Sequence, residues 1–271
     1  MEKKIHWIIS IIRSGYSLLD KGSLLIYFIF WPLRRILFKN MGLIKNVLVK
    51  NEGGIFFCGK KFSAVSCVNP LFEKDLEKVF KSIKKGNFID IGANIGKYTI
   101  LMGNLLKDYK ILAIEPEIQN FKFLKKSISL NRLMNVITFN LACSSKKEKK
   151  KFFIEENGIG MHSFYRTKLK SKLFVEVDTE TLDNLVFKSL NKKEVKEISL
   201  IKIDVEGAES EVLEGAKKVL RSASPILLVE IWNKESLKKV RKILFPLRFS
   251  ERRMDEENYL YFKPNNLSKI I

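Results

Sequence analysis

From residue 71 onward, the chain alternates between short apolar runs and longer amphipathic segments. Five runs are too short for helices and predict buried strands, at 88–92, 109–115, 135–142, 200–207 and 225–232. The segments between them have apolar residues at three- and four-residue spacing, which predicts helices. This alternation predicts an α/β domain in which a mostly parallel sheet carries helices on both faces.

Other segments depart from this alternation. The apolar residues of 151–155 and 172–182 predict a pair of inserted strands after the third strand. The segments 210–220 and 236–244 each read as one helix, and residues 259–262 predict a closing antiparallel strand. Residues 71–271 therefore form the predicted main domain, and residues 1–70 form a basic, aromatic N-terminal extension.

The first 50 residues contain nine Lys/Arg against Glu2 and Asp20. Their longest apolar run spans 24–33, and Pro32 interrupts it. A transmembrane helix needs about 20 apolar residues, so a span is disfavoured. Two alternatives remain: a helical layer that packs on the main domain, or an amphipathic segment that lies in a membrane interface.

The net charge and the cysteine content limit the partners, metal sites and cellular locations that the sequence favours. The net charge of +20 favours polyanions such as nucleic acid, anionic lipid or acidic substrates, unless the lysines simply cover the surface. Three cysteines without a CxxC pair, together with two histidines, exclude a structural zinc site. Free thiols favour the reducing cytoplasm, and the inner face of the membrane is the alternative location.

A glycine-bearing turn follows the first strand of the main domain, in the sequence Gly92-Ala-Asn-Ile-Gly96. A dinucleotide fingerprint needs a middle glycine, but Asn94 stands there. A P-loop is excluded because no GK[ST] follows. Asp90 precedes the turn and disfavours a diphosphate. The turn therefore favours a ligand that is not anionic at this point.

A cationic ligand that carries a ribose fits the neighbouring residues. Asp90 can face an amino group, and Gly92 allows close approach of the backbone. Glu115 ends the second strand, where a carboxylate can accept both ribose hydroxyls. Asn140 and Ala142 end the third strand and would meet an adenine. These features together predict S-adenosylmethionine as the cofactor, with Gly96 completing its turn.

Asn94 and Tyr98 lie beside this turn. Either residue can border the methionine end of the cofactor, and either can serve the structure alone. Both are therefore candidate cofactor-binding residues.

Six motifs occur in order: FIDIGANIGKYT, AIEPE, FNLACSS, VDTETLDNL, LIKIDVEGAESEVLEGA and LLVEIW. With them the chain resembles the FkbM branch of class I S-adenosylmethionine-dependent methyltransferases, over about residues 71–261. The resemblance implies a Rossmann-like, seven-stranded sheet with six parallel strands and one antiparallel strand. It also implies methyl transfer, usually to a hydroxyl oxygen.

Asp204 and Glu206 are the candidate catalytic residues. They flank Val205, so along an extended strand end their side chains would share one side and could hold an acceptor hydroxyl. Alternatively, Glu206 caps the next helix. His162 in the insertion is a candidate base, or an exposed loop histidine. Glu230 can line the pocket; a Mg²⁺ site at these carboxylates is disfavoured, and no metal is predicted.

The predicted function is O-methylation of a sugar, glycan or lipid-linked acceptor. The alternative is an RNA methyltransferase that uses the basic surface. A base-methylating enzyme is disfavoured because the DVEG turn lacks the required proline-rich loop and no cysteine nucleophile is nearby. A scaffold without activity is disfavoured by the intact cofactor residues. The sequence contains no pattern that identifies the methyl acceptor or the oligomeric state.

Overall fold

The computed structural model describes residues 2–30, 43, 45–154 and 173–264. Their strands are, in chain order, β1 (Val47–Asn51), β2 (Gly54–Gly59), β3 (Asn87–Ile91), β4 (Ile111–Ile114), β5 (Val136–Phe139), β6 (Ala142–Cys143), β7 (Lys149–Phe153), β8 (Phe174–Glu180), β9 (Ile198–Ile203), β10 (Ile226–Glu230), β11 (Ser250–Arg253) and β12 (Asn258–Phe262).

The helices are, in the same order, α1 (Glu2–Ser14), α2 (Leu18–Ile29), α3 (Phe62–Cys67), α4 (Lys74–Ser82), α5 (Lys97–Leu105), α6 (Ile118–Leu130), α7 (Leu182–Ser189), α8 (Lys192–Lys196), α9 (Glu209–Glu214), α10 (Lys217–Ala223) and α11 (Lys234–Leu244). A short 3₁₀ helix, Phe245–Leu247, follows α11.

Seven strands form the central sheet, in the order β11-β12-β10-β9-β3-β4-β5. Neighbouring strands from β10 to β5 are parallel, and β12 is antiparallel to both β10 and β11. Six strands therefore run one way and one runs the other way. This confirms the α/β fold class and the seven-stranded sheet implied by the FkbM resemblance.

Side chains of β3 alternate between the two faces of this sheet. Ile89 and Ile91 pack in one core cluster, and Phe88 packs in another on the opposite face. Asp90 shares the face of Phe88 because successive side chains of a strand point in opposite directions. The chain crosses from β3 to β4 on one side, while β9 borders β3 on the other. The carboxyl ends of β3 and β9 thus flank a switch point, where open α/β sheets bind ligands.

One predicted element differs in the structure, and one element was not predicted. The predicted helix 210–220 is two helices, α9 and α10, that meet at Gly215. A Cβ at Gly215 would lie 2.2 Å from the carbonyl oxygen of Ser144, so the close approach of that backbone requires glycine at this position. The sequence analysis also missed β11, which is an edge strand of the sequence SERR and lacks an apolar alternation.

The inserted strand pair is confirmed. β7 and β8 are antiparallel, and β6 joins β8 in a separate three-stranded sheet. Residues 155–172, which include the candidate base His162, lie outside the described residues.

The N-terminal segment contains the β1–β2 hairpin as well as helices, and the sequence analysis missed this hairpin. The hairpin packs on α6: the amide of Ile55 donates to Asn131 Oδ1 at 2.9 Å, and the amide of Phe57 donates to Ser127 Oγ at 3.0 Å. Residues of the hairpin share a core cluster with Leu124 of α6. The domain boundary expected after residue 70 stays a prediction.

Among the described residues, no helix has the length and apolar character that a membrane span requires.

Candidate active site

The turn after β3 is held tightly against its neighbours. The amides of Gly92 and Ala93 both donate to the carbonyl oxygen of Ile114 at 3.0 Å. Gly92 has φ +80°, and a Cβ there would lie 1.8 Å from the carbonyl oxygen of Asp204. The glycine is therefore required because the backbone after β9 approaches it, a reason that the sequence analysis did not identify.

Gly96 ends this turn and begins α5. Its φ is +97°, and a Cβ would lie 2.7 Å from Cδ1 of Leu124. The residue thus allows α5 to pack against α6, and it does not line either cavity at this sheet edge. Its predicted role in the cofactor turn stays a prediction.

Two contiguous cavities open along the carboxyl ends of β3, β4 and β9, and we call them together the cleft. They share four lining residues, which are Gly92, Asn94, Asp204 and Glu206. The inner part continues to Glu115 and Ala142, whereas the outer part has a volume of about 560 Å³. Six predicted cofactor-binding residues line the cleft: Asp90, Gly92, Asn94, Tyr98, Glu115 and Ala142.

Glu115 is buried at the end of β4. Its Oε2 accepts the amide of Asn94 at 2.8 Å, and its Oε1 accepts the amide of Glu117 at 2.9 Å. Burial raises the pKa of Glu115 to about 8, although these two amides act in the opposite direction. Each carboxylate oxygen retains acceptor capacity, because an ionised carboxylate offers about four lone-pair positions. The geometry is suited to two hydroxyl donors.

Asn140 has a different place from the one predicted. Its Nδ2 donates to the carbonyl oxygens of Glu115 at 2.9 Å and Pro116 at 3.0 Å, and its side chain does not line the cleft. Asn140 instead fixes the loop that carries Glu115. The inner cavity is lined there by Ala142 and by Asn120, which the sequence analysis missed.

Asp90 and Tyr98 lie in the outer part of the cleft. Asp90 Oδ2 accepts Thr99 Oγ1 at 2.6 Å, and the carboxylate also accepts the backbone N–H of Thr99, so Asp90 contacts the first turn of α5. Burial raises the pKa of Asp90, against the charge of Lys202 and the Thr99 hydrogen bond. Tyr98 donates to Glu73 Oε2 at 2.8 Å. This contact supports a structural role for Tyr98 beside its place in the lining.

The residues after β9 do not form an extended strand end. Strand β9 ends at Ile203, and Glu206 lies in a left-handed turn with φ +54°. The prediction that two alternate side chains share one side of a strand is therefore wrong in its premise. Nevertheless, carboxylate oxygens of Asp204, Glu206 and Glu230 all lie within 4.8 Å of one another. The N-cap residue of α9 is Ala208, two residues after Glu206.

Each of these carboxylates has a distinct environment. Asp204 Oδ2 accepts Lys202 Nζ at 2.8 Å, with the lysine side chain 8% exposed and the aspartate 27% exposed. Glu230 accepts the indole N–H of Trp232. Burial, and next the charge of Asp204, raise the pKa of Glu230. Such a cluster can orient a hydroxyl group and receive its proton, and its spacing also suits a divalent cation.

Lys202 is a functional candidate that the sequence analysis missed. Its ammonium lies near Asp204 and 5.5 Å from the centroid of the Tyr98 ring. The charges of Asp204 and Asp90 raise its pKa despite complete burial. A lysine within the buried strand sequence ISLIKI was the available signal, because buried cations need charged partners.

The outer part of the cleft is strongly acidic. Eight carboxylate residues line it against two lysines, Lys97 and Lys202. The acidic residues are Glu73, Asp90, Asp204, Glu206, Glu230, Asp255, Glu256 and Glu257. The cleft thus has a charge opposite to that of the chain as a whole, which is +20.

Three buried oxygen atoms in the cleft lining test the fit of the predicted cofactor. Oδ1 of Asp90, of Asn94 and of Asn120 has no hydrogen-bond partner in the described protein. Buried acceptors without donors are costly, so they point to a ligand rich in donors. S-adenosylmethionine has such donors in its α-amino group, ribose hydroxyls and adenine amino group. The residues present therefore fit this group.

The methyltransferase FkbM domain model matches residues 90–261. "Methyltransferase 1" of Beauveria bassiana (strain ARSEF 2860) is 27% identical over 146 residues, which are 47% of this chain and 57% of that protein. The chain thus spans little more than half the length of this curated relative.

Two solved structures are similar to the chain at low identity. Methyltransferase FkbM from Methylobacillus flagellatus KT has a TM-score of 0.48 and 13% identity, with 96% of this chain and 59% of that chain covered. TYW2 from M. jannaschii in complex with AdoMet has a TM-score of 0.42 and 13% identity, with 81% and 85% covered. On the match of the domain model, this chain belongs to the FkbM methyltransferase family, whose cofactor is S-adenosylmethionine.

Proposed function

We propose that the chain methylates a hydroxyl oxygen of a sugar, glycan or lipid-linked saccharide. The convergence of Asp204, Glu206 and Glu230 beside the cofactor-binding part of the cleft is the observation that carries this proposal. Carboxylates accept hydrogen bonds from hydroxyl groups, and they repel phosphate-rich acceptors. An acidic cleft is therefore suited to a neutral polyol.

The cofactor-binding roles follow from the lining of the cleft. Glu115 would accept the ribose hydroxyls, and Asp90 would face the amino group. Ala142 leaves room for the adenine, with Asn120 as an acceptor beside it. When bound, S-adenosylmethionine supplies an electrophilic methyl group on a sulfonium.

The acceptor would occupy the outer part of the cleft. Trp232 lines this part and is 37% exposed, and its indole N–H is fixed by Glu230. An indole face provides an apolar platform for a sugar ring, while the carboxylates select hydroxyl groups around it. We infer that this combination aligns the acceptor oxygen, which can contribute more to the rate than proton removal.

The proton of the acceptor would pass to a carboxylate as the oxygen–methyl bond forms. Lys202 occupies one oxygen of Asp204, so Asp204 is better suited to position the hydroxyl. Glu230 has a raised pKa and is the stronger base when ionised. We propose that Asp204 and Glu206 orient the hydroxyl and that Glu230 assists in removing its proton. His162 stays a candidate from the sequence.

RNA methylation is the second candidate function, and the net charge of +20 favours it. The acidic lining of the cleft opposes it, because a phosphodiester backbone would have to approach eight carboxylate residues. The two functions differ in where a labelled methyl group appears. With radiolabelled S-adenosylmethionine, we expect label in oligosaccharide or lipid-linked saccharide acceptors and none in RNA.

Calorimetric titration with S-adenosylhomocysteine tests the cofactor part of the proposal. We expect micromolar binding by the unaltered chain and a loss of about 100-fold for Glu115→Ala, since two charge-assisted hydrogen bonds disappear. Glu235→Ala is the matched control, because Glu235 is exposed on α11 and pairs only with Lys239 at the surface. A well-folded chain that does not bind S-adenosylhomocysteine contradicts the proposal.

Asp204→Asn and Glu206→Gln test the acceptor part. Both variants should bind S-adenosylhomocysteine within a few-fold of the unaltered chain and lose most methyl transfer. Equal transfer by all three proteins would contradict the roles assigned to these carboxylates.

We also propose a cytoplasmic location, in keeping with the three free cysteines. A location at the inner membrane face is a separate proposal, because it concerns residues 2–30 and not the cleft.

A further inference from the structure

The outward side of α2 is apolar. Between residues 18 and 30, every exposed side chain is apolar, and Leu18, Leu19 and Ile29 are 85%, 74% and 60% exposed. Positions 18, 25 and 29 recur at helical spacing, so they share one face. We call this surface the α2 face; its residues are Leu18, Leu19, Leu25, Ile26, Ile29 and Phe30.

The inward side of α2 holds the helix in this orientation. Leu24 and Tyr27 are buried, and Tyr27 stacks on Phe62 with ring centroids 4.4 Å apart. Asp20 is also buried, forms a capping box with Ser17, and pairs with Lys45 at 3.0 Å. Leu24 and Tyr27 thus anchor the inward side of α2, and Asp20 is buried with them. The outward side is apolar as well, whereas the outward side of a surface helix is usually polar.

The helix α1, which packs on α2, carries exposed cations. Lys3, Lys4 and Arg13 are exposed on α1, and Lys21 is half-buried on α2. Asp20 is the one acidic residue in the sequence from residue 3 to residue 30, and its charge is already paired. Ile5 and Ile9 of α1 add further exposed apolar side chains, at 52% and 40%.

We propose that the α2 face, with the cations of α1, binds the surface of an anionic lipid bilayer. Apolar side chains of an interfacial helix enter the boundary between headgroups and acyl chains, while its cations meet anionic headgroups. Charge decides between this occupant and a second copy of the chain. In a symmetric dimer the same lysines and arginine would face each other and repel, whereas an anionic bilayer is complementary to them.

The α2 face is connected to the cleft through α1 and α3. Ser10 of α1 hydrogen-bonds with the buried side chain of Asn69, with Asn69 Nδ2 3.2 Å from Ser10 Oγ. Phe72 and Glu73, which line the outer cleft, follow directly. If docking places the mouth of the cleft at the bilayer, a lipid-linked acceptor would be held near it. This consequence rests on the proposed function, but the docking itself does not.

Vesicle co-sedimentation of the full chain tests the docking. We expect binding to vesicles of equal parts phosphatidylglycerol and phosphatidylcholine, and at least tenfold weaker binding to phosphatidylcholine alone. Leu18→Asp with Ile29→Asp should weaken binding to the anionic vesicles at least tenfold. Met134→Asp is the matched control, because Met134 is 96% exposed outside this face, and its binding should not change.

Thermal melting checks that each variant is folded, and Leu19→Asn provides a milder substitution if the double variant is not. The proposal is overturned if the unaltered chain binds neither vesicle, or if folded α2-face variants bind as well as the control. It is also overturned if light scattering finds a dimer that Leu18→Asp dissociates, since the face then belongs to a second copy. None of these readouts requires methyl transfer, so failure here and failure of the proposed function are distinguishable.

Discussion

The outer cleft and the α2 face are opposite in character, although α1 and α3 connect them. Eight carboxylate residues and two buried lysines line the outer cleft. The α2 face has exposed leucine, isoleucine and phenylalanine side chains, and the neighbouring helix α1 carries exposed cations. One region is suited to a neutral, hydroxyl-rich ligand and the other to an apolar, anionic surface.

This contrast limits what net charge can indicate about function. The excess of +20 describes the whole chain, and it favours a polyanionic partner at some part of the surface. It does not describe the cleft, where the charge has the opposite sign. A polyanion is therefore better placed at the basic outer surface than in the reaction site.

Substitution of Gly92 should have the largest effect, because it disturbs the cleft at its base. In Gly92→Ala the new Cβ would lie 1.8 Å from the carbonyl oxygen of Asp204. We expect a loss of at least about 3 kcal/mol in the free energy of unfolding, since both backbone strain and a steric clash oppose the native turn. Chemical denaturation measures this change.

Gly22→Ala is the matched control for that substitution. No atom lies within 4 Å of a Cβ at Gly22, and the residue is inside α2. Alanine should raise the free energy of unfolding by up to about 1 kcal/mol through its better helix propensity. Equal effects of the two substitutions would contradict the assigned role of Gly92.

Removal of the buried cation should have the next largest effect. Lys202→Met leaves Asp90 and Asp204 without their shared counter-ion. We expect the free energy of unfolding to fall by about 2 kcal/mol. This loss is smaller than that expected for a fully buried ion pair, because Asp204 is partly exposed. Lys239→Met on α11 removes an exposed pair and should change stability by less than about 0.5 kcal/mol. A stable Lys202→Met chain would show that the cleft tolerates its carboxylates uncompensated.

The effect of pH on cofactor binding should be smaller than the effects of the Gly92 and Lys202 substitutions. Burial raises the pKa of Glu115 from 4.5 to about 8 in the free protein, and the charges of Glu117 and Asp204 add to the rise. The ionised carboxylate is the better acceptor of ribose hydroxyls, so affinity for S-adenosylhomocysteine should increase as pH rises from 6.5 to 8.5, by on the order of tenfold. The same shift stabilises the free fold below pH 4.5, and this contribution is lost as pH rises toward 8.

Calorimetry in buffers with different ionisation enthalpies measures the proton released on binding. Glu115→Gln should remove both the proton release and the slope of affinity with pH. If the slope persists in Glu115→Gln, another group titrates on binding and the assignment is wrong.

Neutralisation of the terminal lysines should have the smallest effect. Lys3→Ser with Lys4→Ser removes two charges near the α2 face, so binding to anionic vesicles should fall by a few-fold to about tenfold, and less at high salt. Affinity for S-adenosylhomocysteine should not change. A parallel loss of both activities would mean that the two regions are not independent.

Pattern and motif predicted most of the central sheet. The runs around Ile89, Leu112 and Ile201 are apolar because parallel strands are covered on both faces, and the structure places each of them in the sheet. The sequence pattern was weaker for β11 and for the β1–β2 hairpin, and neither was predicted. Strand β11 has solvent on much of its surface, and the β1–β2 hairpin lies in a segment whose basic and aromatic residues suggested helices alone.

The sequence alone determined the family, the order of the core strands and the position of Glu115 at a strand end, because burial and turn chemistry are local consequences of residue type. Only the tertiary structure decided that Gly92 faces the Asp204 carbonyl and that Asn140 supports a loop. It also decided that Lys202 lies beside Asp90 on the neighbouring strand and that Glu230 joins Asp204 and Glu206. These relations join residues far apart in the chain, and they depend on the register of β3 against β9 and β10, which no local pattern contains.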